Sequence, residues 1–87
     1  MEIDKAKVRG LLKSQGFHDV YDKTSFWGYR KNNKGIEQEL TVDILYSAEH
    51  DHYYCFLKTK DGREASGNPN SDLGLAIGGV HWNQLDD

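Results

Sequence analysis

The alternation of apolar and polar residues is clearest over residues 36–46, which read IEQELTVDILY. Every second side chain from Ile36 to Tyr46 is apolar or an amide, and the residues between them are mostly acidic. A period of two is typical of a half-buried antiparallel strand. The β-branched and aromatic content favours the same structure. The sequence therefore predicts a central strand with one face on the core.

The N-terminal segment has helical spacing instead. Val8, Leu11 and Leu12 form an i, i+3, i+4 stripe, which predicts a helix from Lys5 to Gln15. Asp4 is the expected N-cap, and Gly16 is the expected left-handed residue after the last turn. We expect the apolar stripe to pack on the apolar face of the central strand.

Three further strands are predicted around the central one. Residues 20–31 are rich in strand formers but carry aromatic side chains on both parities, and Gly28 predicts a bulge or bend. Asn-Asn-Lys-Gly at 32–35 predicts a hairpin turn. A third strand is expected over 52–60, and a short fourth strand is expected over 63–66 after an Asp-Gly turn.

The C-terminal part predicts a second, short helix and a packed tail. Ser71 or Asp72 caps a helix that ends near Ile77, before two glycines. Residues 80–85 are too apolar for a free end, so they should complete the core or form an interface. The order predicts one α+β domain over residues 1–87. Its expected architecture is a two-layer sandwich of a helix, a three- or four-stranded antiparallel meander and a helix.

Composition narrows the classes of function. The net charge is −3, from 11 basic and 14 acidic residues, which is the wrong sign for a dedicated nucleic-acid binder. A single cysteine, Cys55, excludes an intramolecular disulfide and a four-cysteine metal site. No apolar run approaches the roughly 20 residues of a membrane span, and no apolar leader is evident. We expect a cytoplasmic protein without a membrane partner.

Two groups of residues have reactive chemistry, and each has a simpler interpretation. Residues 49–52 read Glu-His-Asp-His and, with His81, contain metal-ligand types. A polar turn of this kind is usually solvated, so no metal site is predicted. Cys55 lies in an alternating strand, where cysteine is commonly a small hydrophobe. We therefore predict no catalytic residue and no cofactor.

Two sets of side chains are candidates for binding. Aromatic and basic residues on the first strand, together with the tail tryptophan, form the first set: Trp27, Tyr29, Arg30 and Trp82. A row of cations at helical spacing forms the second set: Lys5, Arg9 and Lys13. The second set is an alternative nucleic-acid face. Because acids outnumber bases, we interpret the row as a solvated face and expect a protein partner or a homodimer.

Residues 8–17, VRGLLKSQGF, resemble the opening helix and Gly-aromatic pair of the HicA-type mRNA interferase toxins. Those toxins share the layout of double-stranded-RNA-binding domains, so the resemblance implies RNA binding or cleavage. The toxins carry a catalytic histidine on the first strand, where this chain reads Thr24-Ser25-Phe26, so no catalytic residue is carried over. The tail, GNPNSDLGLAIGGVHWNQLD, is similar to small proteins of mobile elements.

The sequence therefore predicts a small acidic, non-enzymatic binding module that acts by protein–protein interaction or self-association. The alternative hypothesis is a HicA-like or dsRBD-like protein that binds or cleaves RNA.

Overall fold

A computed structural model describes residues 3–86. Its four strands form one sheet in which each strand pairs with the next strand of the chain, and all neighbours are antiparallel. The predicted α+β fold and its meander are thus confirmed, with four strands. Neither helix within residues 3–86 is long and apolar enough to cross a membrane. In chain order the elements are α1 (Lys5–Ser14), β1 (Tyr21–Lys31), β2 (Glu37–Ser47), β3 (His52–Thr59), β4 (Glu64–Ser66), α2 (Leu73–Gly78) and a C-terminal 3₁₀ turn (Trp82–Leu85).

The caps of α1 agree with the sequence. The Asp4 side chain accepts a hydrogen bond from the backbone N–H of Lys7 at 3.2 Å. At the other end Gly16 has a φ of 93°, and the N–H of Phe17 donates to the carbonyl of Leu12 at 3.1 Å. This 6→1 bond is that of a Schellman motif, which satisfies one of the free carbonyls of the last turn. The predicted start and both caps are confirmed, and the helix ends at Ser14, one residue before the predicted Gln15.

The first hairpin pairs without interruption. Residues 21–31 face residues 47–37 one to one, and Gly28 pairs in register with Leu40. A bulge places two residues of one strand against one of the other, so the predicted bulge at Gly28 is wrong. The tight turn explains the regular register, because Gly35 takes a φ of 76° and lets both strands run straight into the ladder.

The core lies on one face of the sheet, which we call the core face. It is formed by the even-numbered residues of β1 and β2 and the odd-numbered residues of β3, because residues paired across the sheet point to the same face. The C-terminal residues Val80 and Leu85 are buried in this core, and Trp82 packs against it. The predicted packing of the tail on the domain is therefore confirmed. The sheet contributes Leu40, Cys55, Leu57 and Ala65, with Val42 and Ile44 partly buried beside them.

Polar contacts hold the tail on the sheet. The side-chain amide of Gln38 donates to the carbonyl of Leu85 at 2.7 Å. Arg30 forms an ion pair with Asp86 at 3.2 Å, and its guanidinium lies 5.3 Å from the ring centre of Trp82. These contacts join residues that lie 47 to 56 positions apart and close the fold at its C-terminal end.

Helix α1 packs differently from the prediction. It has no buried residue, and Val8 and Leu11 of its apolar stripe are exposed. The side toward β1 is mixed: Arg9 pairs with Asp22, and Val8 and Leu12 border a pocket with Tyr21 at the start of the strand. The prediction that the apolar stripe packs on the apolar face of the central strand is wrong, because no residue of α1 belongs to the core cluster.

Candidate protein-binding surface

The sheet has a second face, which we call the open face. Odd-numbered residues of β1 and β2 and even-numbered residues of β3 point to it. The C-terminal turn packs in the core of the opposite face, whereas α1 pairs with Asp22 of the core face and also borders Tyr21 and Lys23 at the start of β1. Trp27 and Tyr29 stand on the open face with 62% and 59% of their surfaces exposed. Their rings are 5.1 Å apart in an edge-on arrangement, which is a favourable geometry for aromatic pairs.

The neighbours of these two rings explain their exposure. Trp27 faces Thr41 across the ladder, and Tyr29 faces Glu39. Neither partner is large and apolar, so the rings have no large apolar neighbour directly opposite them on β2. On the other side of the same strand Phe26 is 58% exposed, although it points to the core face. The buried part of the core comes from β2, β3, β4 and the tail and includes no residue of β1. Strand β1 therefore presents aromatic surface on both faces.

The outer edge of β1 carries unpaired backbone groups. The carbonyl of Glu39 accepts from Lys60 on the β3 side, so the even residues of β2 direct their backbone groups to β1. The even-numbered residues of β1, which pair with them, therefore direct their own N–H and C=O groups to β2. The backbone N–H of Asn32 continues this pattern, because it donates to the carbonyl of Ile36. Within residues 3–86 no strand pairs with the other side of β1. The residues that direct N–H and C=O outward are Tyr21, Lys23, Ser25, Trp27, Tyr29 and Lys31.

The shape of the molecule agrees with an uncovered surface. The radius of gyration is 15.2 Å, whereas a compact chain of this length has about 12 Å. Within the described part of the chain, 7 hydrophobic residues are buried and 12 large hydrophobic residues are exposed. An isolated domain would thus leave more large apolar side chains in water than it buries, which favours an interaction surface.

The predicted binding residues do not form one site. Trp27 and Tyr29 lie on the open face, whereas Arg30 points to the core face with Trp82. Adjacent residues of a strand point to opposite faces, so Tyr29 and Arg30 cannot share a surface. Arg30 and Trp82 are used inside the fold, where they hold the tail. The candidate surface therefore keeps the aromatic pair and gains Phe26 and the backbone edge, which the sequence prediction missed.

The alternative cationic face is also changed by the structure. Arg9 pairs with Asp22, and Lys13 pairs with Glu49 at 2.9 Å. The interpretation of the row as a solvated face is therefore wrong for Arg9, whose side chain is only 22% exposed, and agrees with Lys13, whose side chain is 50% exposed. No periodic signal marked Asp22 or Glu49 as partners, because both contacts form only in the folded chain.

A small group of metal-ligand residues lies in the loops. Ligand atoms of Asp19, Glu49 and His50 are within 4.8 Å of one another, and all three residues are exposed. His50 stacks on His52 with ring centres 5.4 Å apart, and His81 is not a member of the group. Sequence reasoning missed Asp19, which adopts a positive φ of 52° in the loop before β1. Exposed groups of this kind are common in proteins that bind no metal.

Cys55 lies in the core at 2% exposure. Burial raises the pKa of its thiol, and the nearby negative charge of Asp43 acts in the same direction. A buried, protonated thiol is a poor nucleophile. The environment agrees with the interpretation of Cys55 as a small core hydrophobe.

A groove of about 330 Å³ crosses the core face between α1 and α2. Phe26 and Ile44 line its floor, with Lys5 on one side and Leu73 on the other. Tyr46 also lines it, and its hydroxyl donates to the Asp51 carboxylate at 2.9 Å. This hydrogen bond is the main reason that the pKa of Tyr46 is raised.

No family model matches the chain, and no curated protein or solved structure matches it either. The function is therefore inferred from the residues and surfaces of this chain alone.

Proposed function

We propose that this protein is a small non-enzymatic binding module that acts by protein–protein contact, including self-association. Its binding surface is the β1 surface, which consists of Phe26, Trp27, Tyr29 and the outer edge of β1. One observation carries the proposal: exposed aromatic rings flank a backbone edge that no strand within residues 3–86 occupies. Tryptophan and tyrosine contribute strongly to protein interfaces because they bury a large rigid area.

Charges around the rings support a protein partner over a nucleic acid. On the open face, Glu39 and Asp43 stand beside the aromatic pair and alternate with Lys23 and Lys60. Mixed charge is typical of the polar rim of a protein interface, whereas a phosphate backbone needs an excess of cations. The RNA-binding alternative has less support, because Arg9 and Lys13 already pair with carboxylates.

We also propose a cytoplasmic location. The one cysteine is free and buried, and a protein without disulfides suits a reducing compartment.

A photo-crosslinking experiment tests the binding function. A benzophenone amino acid replaces Trp27 in one chain and Leu75 of α2 in a matched control, since both positions are about 60% exposed. After irradiation in host extract we expect a protein adduct of defined mass at position 27 and none at position 75. Unlabelled chain should compete for that adduct, and a chain with Trp27→Ala and Tyr29→Ala should compete at least tenfold less well. No competable adduct at position 27 would contradict the proposal.

A further inference from the structure

The outer edge of β1 is complementary to itself. We propose that its occupant is a second copy of this chain, joined by antiparallel pairing of β1 with β1 about a two-fold axis at Phe26. The two sheets then form one continuous sheet of eight strands. This inference rests on the proposed function and names its partner.

Backbone geometry limits the registers. Residues with outward N–H and C=O groups must face each other to exchange hydrogen bonds, so odd residues of one copy face odd residues of the other. An axis at Phe26 pairs all 11 residues of β1, with about twelve inter-strand hydrogen bonds, and brings residues 29–31 of each copy beside α1 of the other, which borders Tyr21 and Lys23. Tyr21 then faces Lys31, Lys23 faces Tyr29, and Ser25 faces Trp27.

Side chains on the open face favour this register. Lys23 and Lys31 each meet an aromatic ring of the other copy, which permits cation–π contact. On the core face Phe26 meets its own copy, and Asp22 stands opposite Arg30, each already in an ion pair within its own chain. No like charges are directly opposite, which would destabilise the pairing.

Neighbouring registers are less favourable. An axis at Trp27 places Lys23 opposite Lys31 and shortens the overlap. An axis at Ser25 leaves Arg30 and Lys31 outside the ladder. The register at Phe26 is therefore the one that combines full overlap with lysine–aromatic contacts and no like charges directly opposite.

The assembly closes as a dimer. Pairing consumes the long edge of each copy and leaves the edge beyond β4, a strand of only 3 residues. Asn70 pairs with Tyr53 beside it and covers part of β3. An isologous two-fold contact of this kind does not propagate into a fibre. Lysines on an edge strand can also prevent pairing through that edge. The experiments must therefore distinguish lysines that contact a second copy from lysines that keep the chain monomeric.

Cysteine cross-linking of the purified chain tests the register. Phe26 and its copy form a non-hydrogen-bonded pair with Cα atoms about 4.5 Å apart, which a disulfide can bridge. Thr24 and its copy are about 13 Å apart along the strand, which is too far. We expect Phe26→Cys to form a covalent dimer under mild oxidation and Thr24→Cys to form at least tenfold less. The buried Cys55 is present in both and does not compete.

Sedimentation velocity over a range of protein concentrations tests the interface. We expect wild type to reach twice the mass of one chain. Phe26→Asp places two carboxylates at the axis and should raise the dissociation constant at least tenfold. Phe17→Asp is the matched control, because Phe17 is 57% exposed and lies outside β1, and its dimer should be unchanged. Ser25→Pro removes one outward N–H without removing a β1–β2 bond, so it should also yield folded monomer.

The outcomes separate this inference from the proposed function. A wild type that stays monomeric and shows no Phe26→Cys cross-link overturns the second copy as partner. If the competable adduct at position 27 then has the mass of another protein, the binding function stands. A dimer that survives both Phe26→Asp and Ser25→Pro overturns the β1 interface. Loss of both dimer and adduct contradicts both proposals.

Discussion

Replacement of Leu85 by alanine should destabilise the fold far more than its place near the end of the chain suggests. Leu85 has no exposed surface and belongs to the same cluster as Leu40 and Leu57. Truncation of a buried leucine to alanine lowers the free energy of unfolding by about 2–5 kcal/mol, because the lost transfer free energy and the cavity left behind add together. A domain of this length has a total stability of about 4–13 kcal/mol. The variant should therefore lose a large share of it.

Urea denaturation followed by circular dichroism measures this loss. Leu75→Ala is the matched control, because Leu75 is 63% exposed and its truncation should cost less than about 0.5 kcal/mol. Both variants and wild type should be compared at one protein concentration, since self-association adds to apparent stability. A cost for Leu85→Ala no larger than that of Leu75→Ala would refute the place of the tail in the core.

Three further outcomes are expected. Removal of residues 80–87 should abolish cooperative unfolding, because it takes Val80 and Leu85 from the core; a sharp thermal transition in the truncated chain would contradict this. The pKa of Tyr46 is raised mainly by its hydrogen bond to Asp51. This bond stabilises the fold fully below the ordinary pKa of 10.0, and its contribution is lost as pH rises through the pKa of the folded state. The urea midpoint of wild type should then fall toward that of Tyr46→Phe above pH 10, and a constant difference would disprove the linkage. Zinc should leave the melting temperature of wild type and of His50→Ala nearly equal, whereas a rise confined to wild type would reveal a metal site.

The sequence was sufficient for the elements because their signals are local. Alternation over residues 36–46 sets the parity of β2, and the turn at Gly35 sets its register with β1. Asp4 and Gly16 mark the ends of α1 through bonds within a few residues. A meander of this order also implies that β1 is an edge strand.

The sequence could not show which residues far apart in the chain contact each other. The ion pairs of α1 join Arg9 to Asp22 and Lys13 to Glu49, which lie 13 and 36 residues further along the chain. Periodicity within the helix carries no information on partners that distant. The separation of Tyr29 from Arg30 is different, because strand parity alone predicts it.

Amide hydrogen exchange along β1 tests the central claim most directly. Phe26 directs its N–H to β2 in any state, whereas Trp27 directs its N–H to the outer edge. In the β1-paired dimer both amides should be protected at high concentration, and dilution should release protection at Trp27 and keep it at Phe26. Rapid exchange at Trp27 with protection at Phe26, unchanged at every concentration, would show that nothing occupies the edge and would contradict the account.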